Sequence, residues 1–286
     1  MTIHRALILY KKSAYSIYFQ HANSSFHQRG RVNSSELKRF QSMHETHMNC
    51  LVTVEAAMKS LGIQVSKKCR GHKLTMDAFD LVVTVGGDGT FLEAAQKVKK
   101  QLIIGVNSDP SWSVGRFCSA TAKNFREIIS NVLNKAANIL PYPRLQLHLP
   151  DRQVNFLNEI LVCHRNPAAM SRYTLQIGNK KEEQKSSGIW ISTAAGSTGA
   201  MRSAGGQCFQ PTESIIQYQP RELYPQKEYA YKFKGGVISG DVKIRVISMM
   251  REGRVFIDGS HLSFPLDFGI IASITKSRYP LWVIKS

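Results

Sequence analysis

One run constrains the fold more than any other: Asp80-Leu81-Val82-Val83-Thr84-Val85-Gly86-Gly87-Asp88-Gly89-Thr90. A strand with no polar alternation is buried on both faces, which points to a parallel sheet covered by helices. Glycines directly after such a strand let the backbone turn sharply and approach a ligand closely. The helix that follows opens with free N–H groups, a setting that suits phosphate. Ligands of open parallel sheets bind beyond the carboxyl ends of the strands, where this turn falls. Asp88 is an acid inside an anion-binding turn, so two tasks are natural for it: taking a proton from an attacking hydroxyl, or holding Mg²⁺. No Gly-Lys-Ser/Thr closes the loop, so it is not a Walker A motif.

The surrounding pattern agrees with a doubly wound α/β domain. Strands are predicted over 5–10, 63–66, 80–85 and 102–107, and helices over 35–61, 90–100 and 121–135. In the first helix Met43, His47, Leu51, Val54 and Met58 recur at helical spacing, and Gly62 marks its stop. After about residue 140 the character changes. Short strands are predicted at 144–149, 156–162, 173–177, 189–193, 242–248 and 254–257, separated by turns such as Gly178-Asn179 and Asp258-Gly259. That pattern belongs to a C-terminal mainly-β, sandwich-like domain. The stretch 206–236 has little periodicity and is expected to be irregular.

The 286 residues suit two domains, and the apolar fraction of 43% suffices for real cores. No apolar run reaches bilayer length. Residues 1–20 carry no signal peptide, which points to the cytoplasm. Five widely spaced cysteines form no CxxC pair and signal neither zinc nor a disulfide framework. The formal charge of +18 invites nucleic acid, a membrane surface or an anionic substrate. Basic residues are scattered, without the aromatic-laced stripe that nucleic-acid binding needs. A substrate with several phosphates explains the sign equally well, so neither nucleic acid nor membrane is expected as a partner.

GGDGT is shared by a kinase superfamily that includes dinucleotide, diacylglycerol and sphingosine kinases. Further blocks narrow the resemblance: Gly105-Val106-Asn107-Ser108-Asp109-Pro110 with Ser113-Val114-Gly115-Arg116-Phe117-Cys118, then Leu157-Asn158-Glu159-Ile160, then Ser187 to Gly199. In this order and spacing the chain resembles the NAD kinase family over nearly its whole length, and its mitochondrial-type branch most. The resemblance implies a phosphotransferase that uses Mg²⁺ with ATP, or polyphosphate, to phosphorylate the 2′-hydroxyl of the adenosine ribose of NAD(H).

It also implies roles. Asp88 is the catalytic base. Gly86, Gly87, Gly89 and Thr90 cradle the donor phosphates. Asn107 belongs to the second block, and Phe117 is an aromatic near the dinucleotide. Asn158 and Glu159 grip that dinucleotide, and Thr198, Gly199 and Ser203 belong to the adenine pocket. Lys185 brings charge for the pyrophosphate. Ser187 stands where ordinary bacterial members have an aspartate, and Ala200 stands where an aromatic ring is usual. No protein-held metal site is implied. An α/β domain over 1–120, completed by 272–286, and a β-rich dinucleotide-binding domain over 140–271 follow, with the active site in a cleft between them and a homodimer as the assembly. Two alternatives stand beside this reading: a lipid kinase sharing the loop, and a catalytically degraded dinucleotide-binding regulatory protein.

Overall fold

The computed structural model describes residues 2–20, 33–72, 75–225 and 230–286. The chain divides into two compact units, Met1–Leu140 with Trp282–Ser286, and Pro141–Leu281.

The first unit is a parallel sheet. Strands β1 (Arg5–Tyr10), β2 (Gln64–Cys69), β3 (Leu81–Gly86) and β4 (Leu102–Asn107) lie in the order β2-β1-β3-β4, each parallel to its neighbour. Every residue of β3 and β4 is buried. Alternate residues face opposite sides, so Ile8, Val83 and Ile104 join one core cluster while Leu7, Val82 and Ile103 are equally buried outside it.

Helix α1 (Ala14–Tyr18) follows β1, and α2 (Ser34–Ser60) leads to β2. Asn33 caps α2: its side chain accepts from Glu36 N at 2.8 Å, and Glu36 returns a bond to Asn33 N at 3.3 Å. His47, Cys50, Leu51, Val54 and Met58 are its buried stripe, and Gly62 at φ +76° turns the chain out of it. Helix α3 (Asp88–Lys97) packs on β1, β3 and β4. Helix α4 (Phe125–Leu133) follows the short strand β5 (Cys118–Thr121) and shares the core cluster with α2. The chain runs from β1 to β2 on one side and places β3 on the other. Between β1 and β3 lies the switch point where such sheets bind ligands.

Past β6 (Asn138–Tyr142) the second unit contains only short helical turns, among its described residues, beside two antiparallel sheets. Its strands are β7 (Leu145–Leu149), β8 (Arg152–Phe156), β9 (Glu159–His164), β10 (Ser171–Ile177), β11 (Lys180–Ser186), β12 (Ile189–Thr193), β13 (Ile215–Pro220), β14 (Gly236–Ser239), β15 (Ile244–Ser248), β16 (Gly253–Ile257), β17 (Leu262–Pro265) and β18 (Ile271–Lys276). One sheet has the order β11-β10-β15-β18-β7-β8 and the other β14-β13-β12-β9-β16-β17. Alternate residues of both sheets share a single core that includes Leu147, Tyr173, Val246, Ile160, Ile191 and Val255, which is the arrangement of a sandwich. The chain then returns as β19 (Leu281–Lys285), parallel to β4.

The structure corrects the expectation of an irregular 206–236. Strand β13 crosses it and pairs with β12 and β14. Its sequence, IIQYQP, hides the pattern because Gln217 is buried rather than exposed, with its side chain bonded to the backbone of Gln207 at both ends. Residues 226–229 of that stretch lie outside the described residues. Strand β2 also runs further than 63–66, because Lys67 and Lys68 are on an edge where charge is tolerated.

Candidate active site

Most of the predicted residues gather in two clusters, one in each unit. In the first, β3 ends at Gly86 and α3 begins at Asp88, with Gly87 as an N-cap that makes no side-chain cap bond. No side chain therefore covers the first-turn amides of Asp88 and Gly89, and the positive end of the helix lies behind them. The Asp88 carboxylate is half-buried and clamped by backbone: Phe117 N donates to Oδ1 at 2.9 Å and Arg116 N to Oδ2 at 3.1 Å.

The loop that supplies those amides is itself fixed. Asn107 Nδ2 donates to Ser113 O at 2.7 Å, and Asn107 Oδ1 accepts from Asp109 N at 3.1 Å. Gly115 has φ +57°, and a Cβ there would come within 2.6 Å of Asn107 Nδ2, so only glycine fits. Both polar ends of Asn107 thus serve the loop. Phe117 is 7% exposed and stacks on Phe91 with centroids 5.3 Å apart. Its ring belongs to the support of the site, and its N–H reaches Asp88. Thr90 is buried, its hydroxyl without a partner among the described residues, and its N–H donates to Gly87 O at 3.0 Å. It braces the turn from below.

The second cluster surrounds Asn158 and Glu159 at the start of β9. Glu159 is 5% exposed and its Oε2 has no partner among the described residues. Its carboxyl is pushed up to about 8, chiefly by burial and then by the like charge of Asp258, against a hydrogen bond from Asn158 that pulls it down. Asp258 sits at φ +49° in the turn after β16. It accepts from Asn158 N at 2.7 Å and Leu157 N at 3.3 Å, and returns its own N–H to Glu159 O at 2.9 Å.

A tight turn lies over the pair. Thr193 N and Ser192 Oγ both donate to Asn158 O, at 3.1 and 3.2 Å. A Cβ on Gly196 would overlap that same carbonyl group, and one on Gly199 would lie 3.1 Å from Asn158 Nδ2 and 3.2 Å from Glu159 Oε2. The structure thus brings Asn158, Glu159 and Gly199 together, with Thr198 half-buried next to them and Ser203 exposed at the end of α5 (Ala200–Ser203).

Lys185 and Ser187 are placed elsewhere. Lys185 is exposed on β11, the edge of the other sheet. Ser192 pairs with Glu159, and Ser187 is five positions back along the chain, before β12 begins at Ile189. Its N–H donates to Arg221 O at 2.9 Å. Sequence reading missed Asp258 as a member of this cluster. Its signal was an Asp-Gly turn, but its amide partners lie a hundred residues away.

A parallel sheet with a glycine turn and fixed acid at its switch point, followed by a β-sandwich with a buried amide–carboxyl pair, defines a two-domain nucleotide kinase of the GGDGT type. The sequence matches the model of the ATP-NAD kinase N-terminal domain over residues 6–137 and that of the C-terminal domain over 157–286. It is 32% identical over 229 residues to a probable NADH kinase of Oryza sativa subsp. japonica, covering 72% of this chain and 70% of the relative. It is 32% identical over 237 residues to an NAD kinase of Archaeoglobus fulgidus, covering 82% and 88%. The crystal structure of an NAD kinase from Archaeoglobus fulgidus in complex with ATP superposes with a TM-score of 0.72 at 28% identity, covering 98% of this chain and 93% of that one. Yeast NADH kinase complexed with NADH shares the fold, with a TM-score of 0.73 at 16% identity over 100% of this chain and 84% of that one. The chain belongs to the ATP-NAD kinase family. It is an enzyme that phosphorylates NAD, and the lipid-kinase and binding-only readings are not favoured.

Proposed function

We propose that the chain moves the terminal phosphate of Mg²⁺-bound ATP, or of inorganic polyphosphate, onto the 2′-hydroxyl of the adenosine ribose of NAD or NADH. The observation that carries this reading is the Asp88 carboxylate, held by two backbone amides at the mouth of an uncapped helix. A carboxylate has about four acceptor sites. Two are used by Arg116 and Phe117, which leaves capacity for the proton of an attacking hydroxyl. Phosphoryl transfer relies on aim and on charge stabilisation more than on base strength, and both amides aim this acid. The glycine turn of Gly86, Gly87 and Gly89 holds the donor phosphates. Mg²⁺ enters as part of the donor complex.

Asn158 and Glu159 hold the dinucleotide. The amide reads a base or carboxamide edge, and the carboxyl, whose Oε2 lacks a protein partner among the described residues, bonds ribose hydroxyls. The turn from Thr198 to Ser203 lines the adenine. The protein works as a homodimer in the cytoplasm. All five cysteines are free thiols, which suits a reducing compartment, and light scattering reads the assembly.

The test pairs purified protein with NAD or NADH, and with ATP or polyphosphate, in Mg²⁺. NADP is read with an NADP-specific dehydrogenase after oxidation where needed. Product is expected wherever both substrates are present. No product in any pair, with calorimetric NAD binding intact, would return the chain to a binding role.

A further inference from the structure

We propose that Arg70, with Lys11 beside it, clamps the phosphate group that is transferred. The proposal rests on the kinase reading above and adds to the site two residues that no motif contains.

Three consecutive strands bring these groups together. Lys11 follows β1, Arg70 follows β2 and Gly86 closes β3. The three strands are parallel neighbours, so their carboxyl ends meet at the switch point of the sheet. Arg70 N donates to Tyr10 O at 2.8 Å, which ties the end of β2 to the end of β1.

The guanidinium lies against the glycine turn. A Cβ built on Gly89 would be 3.2 Å from Arg70 Nη1 and 4.0 Å from Nη2. Its orientation is fixed from behind. Arg70 Nε donates to Glu93 Oε2 at 3.2 Å, and Glu93 Oε1 accepts from Gly71 N at 2.8 Å. The arginine side chain is only 24% exposed. Its two terminal nitrogens make no hydrogen bond among the described residues, so the fork keeps its paired donors for a second anion. Two parallel N–H groups in that fork match phosphate oxygens. An ordinary surface arginine is solvated and swings freely. This one is held and pointed at the loop.

Lys11 supports the same place. Its Cγ would be 3.5 Å from a Cβ on Gly86, and no ion pair holds it among the described residues. Its carbonyl is bonded by His47 Nε2 at 2.9 Å from α2. His47 is buried, 2% exposed, with its pKa pushed down to about 4, so it anchors the lysine without adding charge. The charges also require such a clamp. Asp88 and Glu93 alone would repel a phosphate chain, and Arg70, Lys11 and the more distant Lys97, 3.9 Å from Glu93, offset them. Gly89 follows Asp88 in the first turn of α3, so the guanidinium and the acid belong to the same glycine turn.

Arg70→Met, Arg70→Lys, Lys11→Met and Glu93→Gln test this by steady-state kinetics with each substrate varied in turn. Arg70→Met is expected to lower kcat/KM for ATP by about 10²-fold, with the KM for NAD unchanged. Lysine restores part of the loss, added methylguanidinium rescues the Met variant, and Lys11→Met costs about tenfold. Glu93→Gln, a positioning change, raises the KM for ATP and leaves that for NAD alone. Wild-type kcat/KM for ATP in Arg70→Met overturns the proposal. So does a KM raised for both substrates, with a lowered melting temperature and no rescue. If wild-type protein makes no NADP from any substrate pair, the kinase reading is what fails. Calorimetry with inorganic tripolyphosphate then reads the clamp separately: weaker binding in Arg70→Met upholds it and equal binding overturns it.

Discussion

Replacing Glu159 with Gln keeps the shape of the side chain and removes a buried charge. Burial and Asp258 raise the Glu159 carboxyl from 4.5 in the unfolded chain to about 8 in the fold. Below pH 4.5 both states are protonated and nothing is gained or lost. From there to about pH 8 the folded protein keeps a proton that the unfolded chain has released, so stability falls as pH rises. At about 1.36 kcal/mol per pH unit the loss approaches a ceiling of about 5 kcal/mol, a large part of the roughly 5–15 kcal/mol that holds a domain folded. Relaxation around the charge reduces it, so about 2–5 kcal/mol is expected. Urea unfolding of wild type and Glu159→Gln, at pH 5 and pH 8.5, gives the number. The two proteins should be similar at pH 5, and the variant should be the more stable at pH 8.5. Parallel behaviour across that range would refute the buried-charge argument.

Two further outcomes follow from the same cluster. Asp258→Asn removes the like charge and one amide acceptor, so the pH at which the Glu159-dependent loss levels off should move below about 8 and the total loss should shrink, read from the same urea series. Gly196→Ala drives a methyl group into the Asn158 carbonyl; it should cost at least about 1–3 kcal/mol and abolish NAD binding in calorimetry, and wild-type affinity would show that the turn can give way.

Much of the fold could be read from the chain because its signals are local. Leu81–Val85 is apolar without alternation, α2 carries both a cap and a stripe, and β7, β15 and β16 alternate. Strands β11 and β13 were less legible. β11, KKEEQKS, is an edge strand whose charges mostly face solvent, Glu182 being half-buried, and β13 buries a glutamine that only a distant backbone satisfies. The site divides in the same way. Asp88 announced itself because glycines surround it in sequence. Asp258 and Arg70 did not, because their partners, Asn158 and Glu93, come from other elements. Asn107 and Phe117 were flagged in sequence, and the structure gives them the task of holding the loop whose amides fix Asp88.

The central claim is that Asp88 aims the hydroxyl that attacks the donor. Asp88→Asn keeps an oxygen for one of the Arg116 and Phe117 amides, turns an NH2 toward the other and removes the base. Its rate of NADP formation, measured beside its calorimetric affinity for NAD, tests the claim most directly. A fall of about 10²–10⁴-fold in kcat at unchanged affinity is expected; turnover at the wild-type rate would contradict it.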